Sequence, residues 1–376
     1  MIPFVNLTGQ REKYRFELEK AEREVLDSGC YIGGHEVESL EKELSDYLGG
    51  ATRTITCASG TDALTIALMA MDLRPGDEVI VPDFTFIAPA ECVAFLGATP
   101  VFADINPETL QISPKSVKKE IGPHTKGIIA VNLFGQCAPF EELREIAREH
   151  HLWIIEDSAQ AFGARTNQMA CTFGDISITS FYPSKPLGCY GDGGALFTAR
   201  EDLAKKIRMI ANHGSAGRYQ HKIAGMNSRL DALQAAVLRV KLRHLDEELA
   251  VRRQNAAKYD AFFAEYNRTA AAGEKIIPQK IVAGCKCTYA QYTVLAENRE
   301  AFIQKLNDAS VPYCIHYPSA LQYQPCFARF HKEVLGGIVW TEADHPDPNS
   351  VKVSRMAISL PICAFTNVDE IIEKLK

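Results

Sequence analysis

The chain lacks the marks of a membrane, nucleic-acid or metal protein. No apolar run reaches the length of a membrane span. The opening Met1-Ile2-Pro3-Phe4-Val5-Asn6 has no basic region followed by an apolar core, so it does not read as a secretory signal, and a cytoplasmic location is expected. No G-x-G-x-x-G follows an apolar strand and no Walker lysine pattern occurs, which counts against a dinucleotide or nucleoside triphosphate site. Positive charge is not in excess: 41 Lys and Arg face 47 Asp and Glu, and the net charge of −6 argues against a nucleic-acid surface. No internal repeat or low-complexity tract is visible. The cysteines number eleven, but they are scattered, odd in count and mostly inside apolar runs, as at Cys57, Cys92 and Cys314. They read as reduced, buried small hydrophobes. Cys285-Lys286-Cys287 has no second pair at metal spacing, so no zinc is expected.

What is present is the composition of a soluble enzyme, 46% hydrophobic and 23% charged. At 376 residues the chain can bury a large core and carry a second, smaller domain. The spacing predicts helices over Arg11 to Ser28 and His35 to Leu48, the second stopped by Gly49-Gly50. A βα rhythm follows, with strands at Arg53 to Cys57, Glu78 to Val81, Pro100 to Ala103, Gly127 to Val131, Leu152 to Ile155, Ser177 to Phe181 and Gly194 to Phe197. Helices are expected between them, among them Ser59 to about Met71 and Thr85 to Leu96. Short strands that are apolar on both faces imply a mostly parallel sheet covered by helices on both sides, with ligands outside the carboxyl ends of the strands. A long helix is expected from about Leu230 to Tyr266. The rhythm changes after about Tyr259, so the expected division is a large domain over 1–258 and a small αβ domain over 259–376. In the latter, Lys275 to Gly284 reads as loop, Thr288 to Ala296 and Tyr313 to His316 as strands, Arg299 to Ala309 and Asp369 to Lys376 as helices. Gly336-Gly337 and Thr341 to Asn349 read as exposed loop.

The residues that carry chemistry fall at strand ends. Ser180-Phe181-Tyr182-Pro183-Ser184-Lys185 follows a β-prone run and leads into a glycine cluster, so Lys185 occupies a constrained turn just past a strand. Held and partly dried there, its amine loses pKa and becomes a nucleophile for a carbonyl. Taken alone, a solvated loop lysine is the plainer reading. Ser59-Gly60-Thr61-Asp62 begins a helix, where free N–H groups attract anions; taken alone, a simple N-cap is the plainer reading. Asp83-Phe84-Thr85-Phe86 offers an aromatic for a planar ligand or merely a core side chain. Glu156-Asp157-Ser158-Ala159-Gln160 ends an apolar strand in two acids, whose burial demands a cationic partner unless they cap a helix. Asn227-Ser228-Arg229 before the long helix suits phosphate or carboxylate recognition, or is a capped helix with a surface arginine.

In this order and spacing the motifs resemble the sugar-nucleotide aminotransferases of the DegT/DnrJ/EryC/StrS type, from Ile2-Pro3-Phe4 to Ser359-Leu360-Pro361. The resemblance implies an α/β, aspartate-aminotransferase-like fold (PLP fold type I) and pyridoxal 5'-phosphate as cofactor. It implies Lys185 as the Schiff-base lysine and proton carrier, Asp157 on the pyridine nitrogen, Gln160 on the ring-hydroxyl side and Phe86 stacked on the ring. Gly60, Thr61 and Ser180 would bind the phosphate. Asn227 would reach the phosphate of a neighbouring subunit, so a homodimer with composite sites is expected. No metal, nucleic acid or membrane partner is expected. Two departures stand out: Asn167-Gln168-Met169-Ala170-Cys171 replaces a glycine-containing turn, and Cys30 stands in a turn that could face substrate.

His316-Tyr317-Pro318 is otherwise an ordinary strand end; the resemblance places it along the sugar. Its form resembles members that aminate carbon 3 of a keto-sugar. The Phe181 to Gly194 stretch is similar to that of transaminases acting on UDP-2-acetamido-3-keto-hexuronate in bacterial surface-polysaccharide pathways. Arg229, His316 and Tyr317 are the expected sugar-side residues, with L-glutamate as amino donor. Two alternatives stay open: amination at carbon 4 of a 4-keto-6-deoxy sugar nucleotide, and a catalytically idle regulatory homologue. A PLP-dependent dehydratase would have the lysine replaced, and Lys185 is present.

Overall fold

Seven short strands, buried on both faces, form the central sheet of the computed structural model, which describes residues 2–330 and 348–376. They are β1 (Arg53–Cys57), β2 (Glu78–Pro82), β3 (Thr99–Ala103), β4 (Thr125–Val131), β5 (Trp153–Asp157), β6 (Ile176–Ser180) and β7 (Gly194–Thr198), in the order β1-β7-β6-β5-β4-β2-β3. From β6 to β3 every pairing is parallel, and β7 runs antiparallel to both its neighbours. The mostly parallel sheet expected from the sequence is therefore what forms.

The period of two along each strand decides the layers. Val79, Val81, Ile129 and Ile155 face one side, under α4 (Gly60–Ala70), α5 (Ala88–Phe95) and α8 (Glu201–Ala211). Ile80, Ile128, Ala130 and Ile154 face the other, under α6 (Pro114–Glu120) and α7 (Phe140–Glu149). On that second side Ala195 and Phe197 of β7 pack against α3 (Gly34–Tyr47) and the start of α9 (Ala232–Thr269). Two further N-terminal helices, α1 (Leu7–Lys13) and α2 (Arg15–Ser28), meet at buried Tyr14, where one helix was expected; α2 lies along α9.

Helix α9 is 38 residues long and crosses residue 258 unbroken. Its later turns place Ala256, Tyr259 and Phe263 in a second core with the sheet β10 (Ile276–Pro278), β11 (Tyr292–Ala296) and β12 (Ala357–Leu360), and with α10 (Arg299–Asp308) and α12 (Val368–Leu375). Several details differ from expectation. Tyr313 to His316 is no strand but a single bridge, Cys314 to Ser359. The strand expected from Thr288 starts at Tyr292, because Thr288 is bonded elsewhere: its N–H to the Gly135 carbonyl and its hydroxyl to the Gln160 carbonyl, at 2.9 and 3.0 Å. The Lys275 to Gly284 loop contains β10. Helix α5 starts at Ala88 rather than Thr85, with Pro89 in its first turn, where a missing N–H is harmless. A hairpin, β8 (Ser215–Gly217) and β9 (Gln220–His221), and α11 (Asn349–Met356) were not anticipated. Gly336-Gly337 and all but the end of the Thr341 to Asn349 loop lie outside the described residues. All the cysteines are free; Cys57 and Cys92 are buried, whereas Cys314 is half-buried and Cys30 and Cys326 are exposed.

One buried carboxylate ties the site end of this sheet together. Glu156 is fully buried in β5 and accepts five hydrogen bonds. Asn132 Nδ2 and Ser158 Oγ at 2.7 Å and the Cys171 N–H at 2.8 Å reach Oε1. The Phe173 N–H at 2.8 Å and Ser177 Oγ at 2.7 Å reach Oε2. Burying a carboxylate is tolerable only with such complete pairing. Glu156→Gln turns one acceptor oxygen into a donor amide facing donors. We expect it to destabilise the fold by about 2–4 kcal/mol in urea unfolding, leaving secondary structure intact.

Candidate active site

The lysine turn is built by the strand before it and the loop after it. Beyond β6 the Phe181 N–H bonds the Gly193 carbonyl at 2.8 Å, and the Lys185 N–H bonds the Tyr182 carbonyl at 2.9 Å across Pro183-Ser184. This fixes Lys185 at the carboxyl end of the sheet, beside the end of β5. Burial lowers the pKa of its amine, and the Asp157 carboxylate opposes that effect. Asp157 itself is 5% exposed, and burial raises its pKa to about 6 against the Ala159 N–H, which donates to Oδ1 at 2.9 Å, and against Lys185. Successive strand residues point to opposite faces. The two acids that end β5 therefore part company: Glu156 joins a closed protein network, and Asp157 faces Lys185 with few partners of its own.

The wall opposite is aromatic. Buried Phe84, Phe134 and the Tyr317 ring are in mutual contact, with centroids 5.9 to 6.4 Å apart. Phe86 lies 6.4 Å from Tyr317 and is 53% exposed, so its outer face is open to a planar ligand. Gln160 locks this wall: its Oε1 accepts the Phe134 N–H at 2.7 Å and its Nε2 donates to the Tyr317 hydroxyl at 3.1 Å. Phe134 takes a left-handed backbone, φ 59°, which a bulky residue rarely adopts. His316 bonds Ser359 Oγ through Nδ1 at 2.9 Å, and burial, helped by Lys185, lowers its pKa to about 4, so the ring is neutral near pH 7.

The third side is the start of α4. Ser59 Oγ caps the helix by accepting the Asp62 N–H at 3.0 Å. A Cβ on Gly60 would come within 2.7 Å of Ser180 Cβ, so only glycine lets the helix end and Ser180 stand this close. Thr61 is exposed in the first turn. The result is a cradle of free N–H groups and hydroxyls suited to a phosphate. Together with a buried, cation-seeking Asp157 and a dried Lys185 at the strand ends, these residues fit pyridoxal phosphate. Gly60, Thr61 and Ser180 would hold its phosphate, Asp157 its ring nitrogen, Phe86 its face and Gln160 its hydroxyl edge.

The loop 225–231 is placed differently. Ser228 is buried, accepts the Ala58 N–H at 3.1 Å and donates to Asp62 Oδ2 at 2.6 Å, which pins the loop to the start of α4. Its neighbours Asn227 and Arg229 point outward and are exposed, and Arg229 donates to Asn212 Oδ1 at 3.3 Å. Arg229 is thus not in contact with His316 or Tyr317 of its own chain among the described residues. Cys30 is exposed, with Sγ 3.9 Å from the Gly33 carbonyl. Lys241 of α9 was missed by the sequence reading, although a lysine on the inward face of a helix was its signal. It is 2% exposed, donates to the Gly188 carbonyl at 2.7 Å and lies 4.2 Å over the Tyr190 ring, so it braces the loop behind Lys185. Burial lowers its pKa to about 8.

Among known proteins, the model of the DegT/DnrJ/EryC1/StrS aminotransferase family matches residues 13–376. The chain is 46% identical over 329 residues to the UDP-2-acetamido-2-deoxy-3-oxo-D-glucuronate aminotransferase of Pseudomonas aeruginosa, covering 87% of this chain and 89% of that one. It is 40% identical over 328 residues to the UDP-N-acetyl-3-dehydro-alpha-D-glucosamine 3-aminotransferase of Acidithiobacillus ferrooxidans, covering 87% and 86%. The crystal structure of NtdA from Bacillus subtilis with bound cofactor PMP is similar at a TM-score of 0.84 and 29% identity, over 96% of this chain and 81% of that one.

Asp157 gives a direct test of the site's electrostatics. Its folded pKa is raised, so the cofactor-free fold loses stability as pH rises from about 4 through about 6. Asp157→Asn removes that loss. The cofactor-free variant should be more stable than wild type by about 1–3 kcal/mol at pH 7.5, with the gap shrinking towards pH 4. His316 titrates in the same window with the opposite sign, so the comparison is made between the two proteins at each pH.

Proposed function

The chain belongs to the DegT/DnrJ/EryC1/StrS aminotransferase family and is a pyridoxal-phosphate-dependent sugar-nucleotide aminotransferase; we propose that it moves an amino group from L-glutamate to carbon 3 of a UDP-linked keto-hexuronate. The setting would be bacterial surface-polysaccharide synthesis in the cytoplasm. The carrying observation is the likeness to the P. aeruginosa enzyme across most of both chains. The neutral His316 beside Lys185, with Tyr317 behind it, supports this segment as the sugar-side wall.

When bound, pyridoxal phosphate supplies a carbonyl that accepts and returns the amine and a ring that takes up electron density. The protein's own contributions follow from burial. Lys185 offers an amine whose pKa burial lowers, which favours the free base that the chemistry needs. Its Nζ takes the proton from the donor's α-carbon in one half-reaction and delivers a proton to carbon 3 of the sugar in the other. Asp157 would hold the ring nitrogen, and a cation there would offset the cost of burying the carboxylate. The aromatic wall excludes water from the reacting carbons.

We read the exposed Asn227 and Arg229 as serving a partner subunit: their side chains face outward while Ser228 and Leu230 anchor the loop. On this reading the working form is a homodimer with composite sites. Arg229 would take a carboxylate at carbon 6 with its planar fork. A second reading, the hydroxymethyl 3-keto sugar, is favoured by the likeness to the A. ferrooxidans enzyme.

Two experiments test this. Lys185→Ala should fold normally and lose multiple turnover by roughly a thousandfold or more, while Asn227→Ala loses part of it. Subunits of the two variants, once mixed and exchanged, should show more activity than the average of the two homodimers; no such gain removes the composite site. The uronate should be aminated faster than its hydroxymethyl counterpart by roughly thirtyfold or more in single turnover by the pyridoxamine form, and Arg229→Ala should erase about 2 kcal/mol of that preference. Equal rates with both sugars in the wild type would assign the second reading.

A further inference from the structure

Away from the cofactor cradle, three basic side chains line one cavity, and no acid among the described residues closes an ion pair with any of them. Arg165, Arg253 and Lys286 bound a cavity of about 370 Å³, with Tyr47 and Asp246 among its other walls. Arg165 follows β5, Arg253 projects from α9, and Lys286 precedes β11. Arg165 and Lys286 are direct partners in an antiparallel bridge, exchanging N–H···O bonds of 3.3 and 2.8 Å. Residues so paired put their side chains on the same face, and like charges placed directly opposite destabilise the pair. The carboxylate at the rim, Asp246, accepts the Tyr47 hydroxyl at 2.8 Å. None of the three cations donates a side-chain hydrogen bond or closes an ion pair among the described residues. Cations elsewhere on α9 do find acids: Arg239 meets Glu36 and Glu43 at 2.7 Å, and Lys258 meets Asp369 at 2.6 Å.

We propose that this cavity binds a small multivalent oxyanion, a phosphate ester or a polycarboxylate. Three cations against one carboxylate leave an excess of positive charge, and two of the cations are guanidinium forks, which grip planar or tetrahedral oxyanions through paired donors. The volume is that of a small-ligand site, roughly 300–1,000 Å³. A bound anion relieves the Arg165–Lys286 repulsion and fastens the loop after β5 to the segment leading into the small sheet. The cavity shares no residue with the cofactor cradle or with the sugar-side wall.

The test uses holoenzyme, so that the cofactor fills its own phosphate cradle. It is titrated with sodium pyrophosphate and, separately, with citrate at constant ionic strength, following binding heat and melting temperature. One saturable site per chain is expected, with a melting temperature that rises with anion concentration. Arg165→Ser with Lys286→Ser should weaken binding at least tenfold. Arg253→Gln, which leaves the bridge untouched, should weaken it as well. Tighter pyrophosphate assigns a phosphate ligand, and tighter citrate assigns a carboxylate. No saturable binding of either anion overturns the proposal. So does binding of unchanged strength in the variants, which would place the anion in the sugar-nucleotide site.

Discussion

The site end of this protein depends on the complete pairing of Glu156. A carboxylate with no exposure in the middle of a sheet is costly unless each oxygen is met by donors. Here the donors come from the end of β4, from β6 and from the loop between β5 and β6, so satisfying the charge fixes three neighbouring strand ends at once. Asn132 extends the network: its Oδ1 accepts the Ala138 N–H at 2.7 Å and its Nδ2 also reaches Ser158. The next residue along β5 is Asp157, on the opposite face. The rigidity that Glu156 confers is therefore delivered where a second carboxylate must hold its position with little support of its own.

Burial is also the common cause of the site's chemistry. It lowers the pKa of Lys185 and His316 and raises that of Asp157, each shift favouring the neutral form. A site without its cofactor thus holds groups that resist carrying charge. A cofactor with a cationic ring nitrogen and an anionic phosphate supplies opposite charges at opposite ends, and the residues at the two ends match: Asp157 at one, the start of α4 with Ser180 at the other. Between them, the Gln160 amide ties the Phe134 backbone to the Tyr317 hydroxyl, which joins the large sheet to the segment carrying His316.

The small sheet is held to the large one by polar contacts as well as by α9. Asp83, buried at the end of β2, accepts the Gln322 N–H and Nε2 at 2.8 Å and the Ser350 hydroxyl at 2.5 Å. Neighbouring Asp104 accepts the Asn349 and Ser350 N–H groups at 3.1 and 2.9 Å. Carboxyl ends of parallel strands thus serve two purposes in this chain: β5 and β6 build the candidate cofactor site, and β2 and β3 fasten the C-terminal segment.

The sequence by itself determined the layered sheet, because its strands are short, apolar on both faces and separated by helices, a pattern with few other solutions. It also placed Lys185, Asp157 and Gly60 at the ends of strands and the start of a helix, since glycine, proline and acid clusters there leave a local signature. Only the tertiary structure decided what depends on distant partners. Glu156 and Asp157 look alike in sequence, and the Phe173 N–H and the Ser177 hydroxyl that meet one of them separate their surroundings. The expected strand at Tyr313 to His316 is a single bridge between Cys314 and Ser359, and His316 bonds the Ser359 side chain through Nδ1. Lys241 sits 56 positions beyond Lys185, yet α9 carries it under the same loop. Arg229, expected beside His316 and Tyr317, faces outward because buried Ser228 anchors the loop through Asp62 and the Ala58 N–H. Local propensity is written in neighbouring residues, whereas such pairings are set by which segments the folded core brings into register.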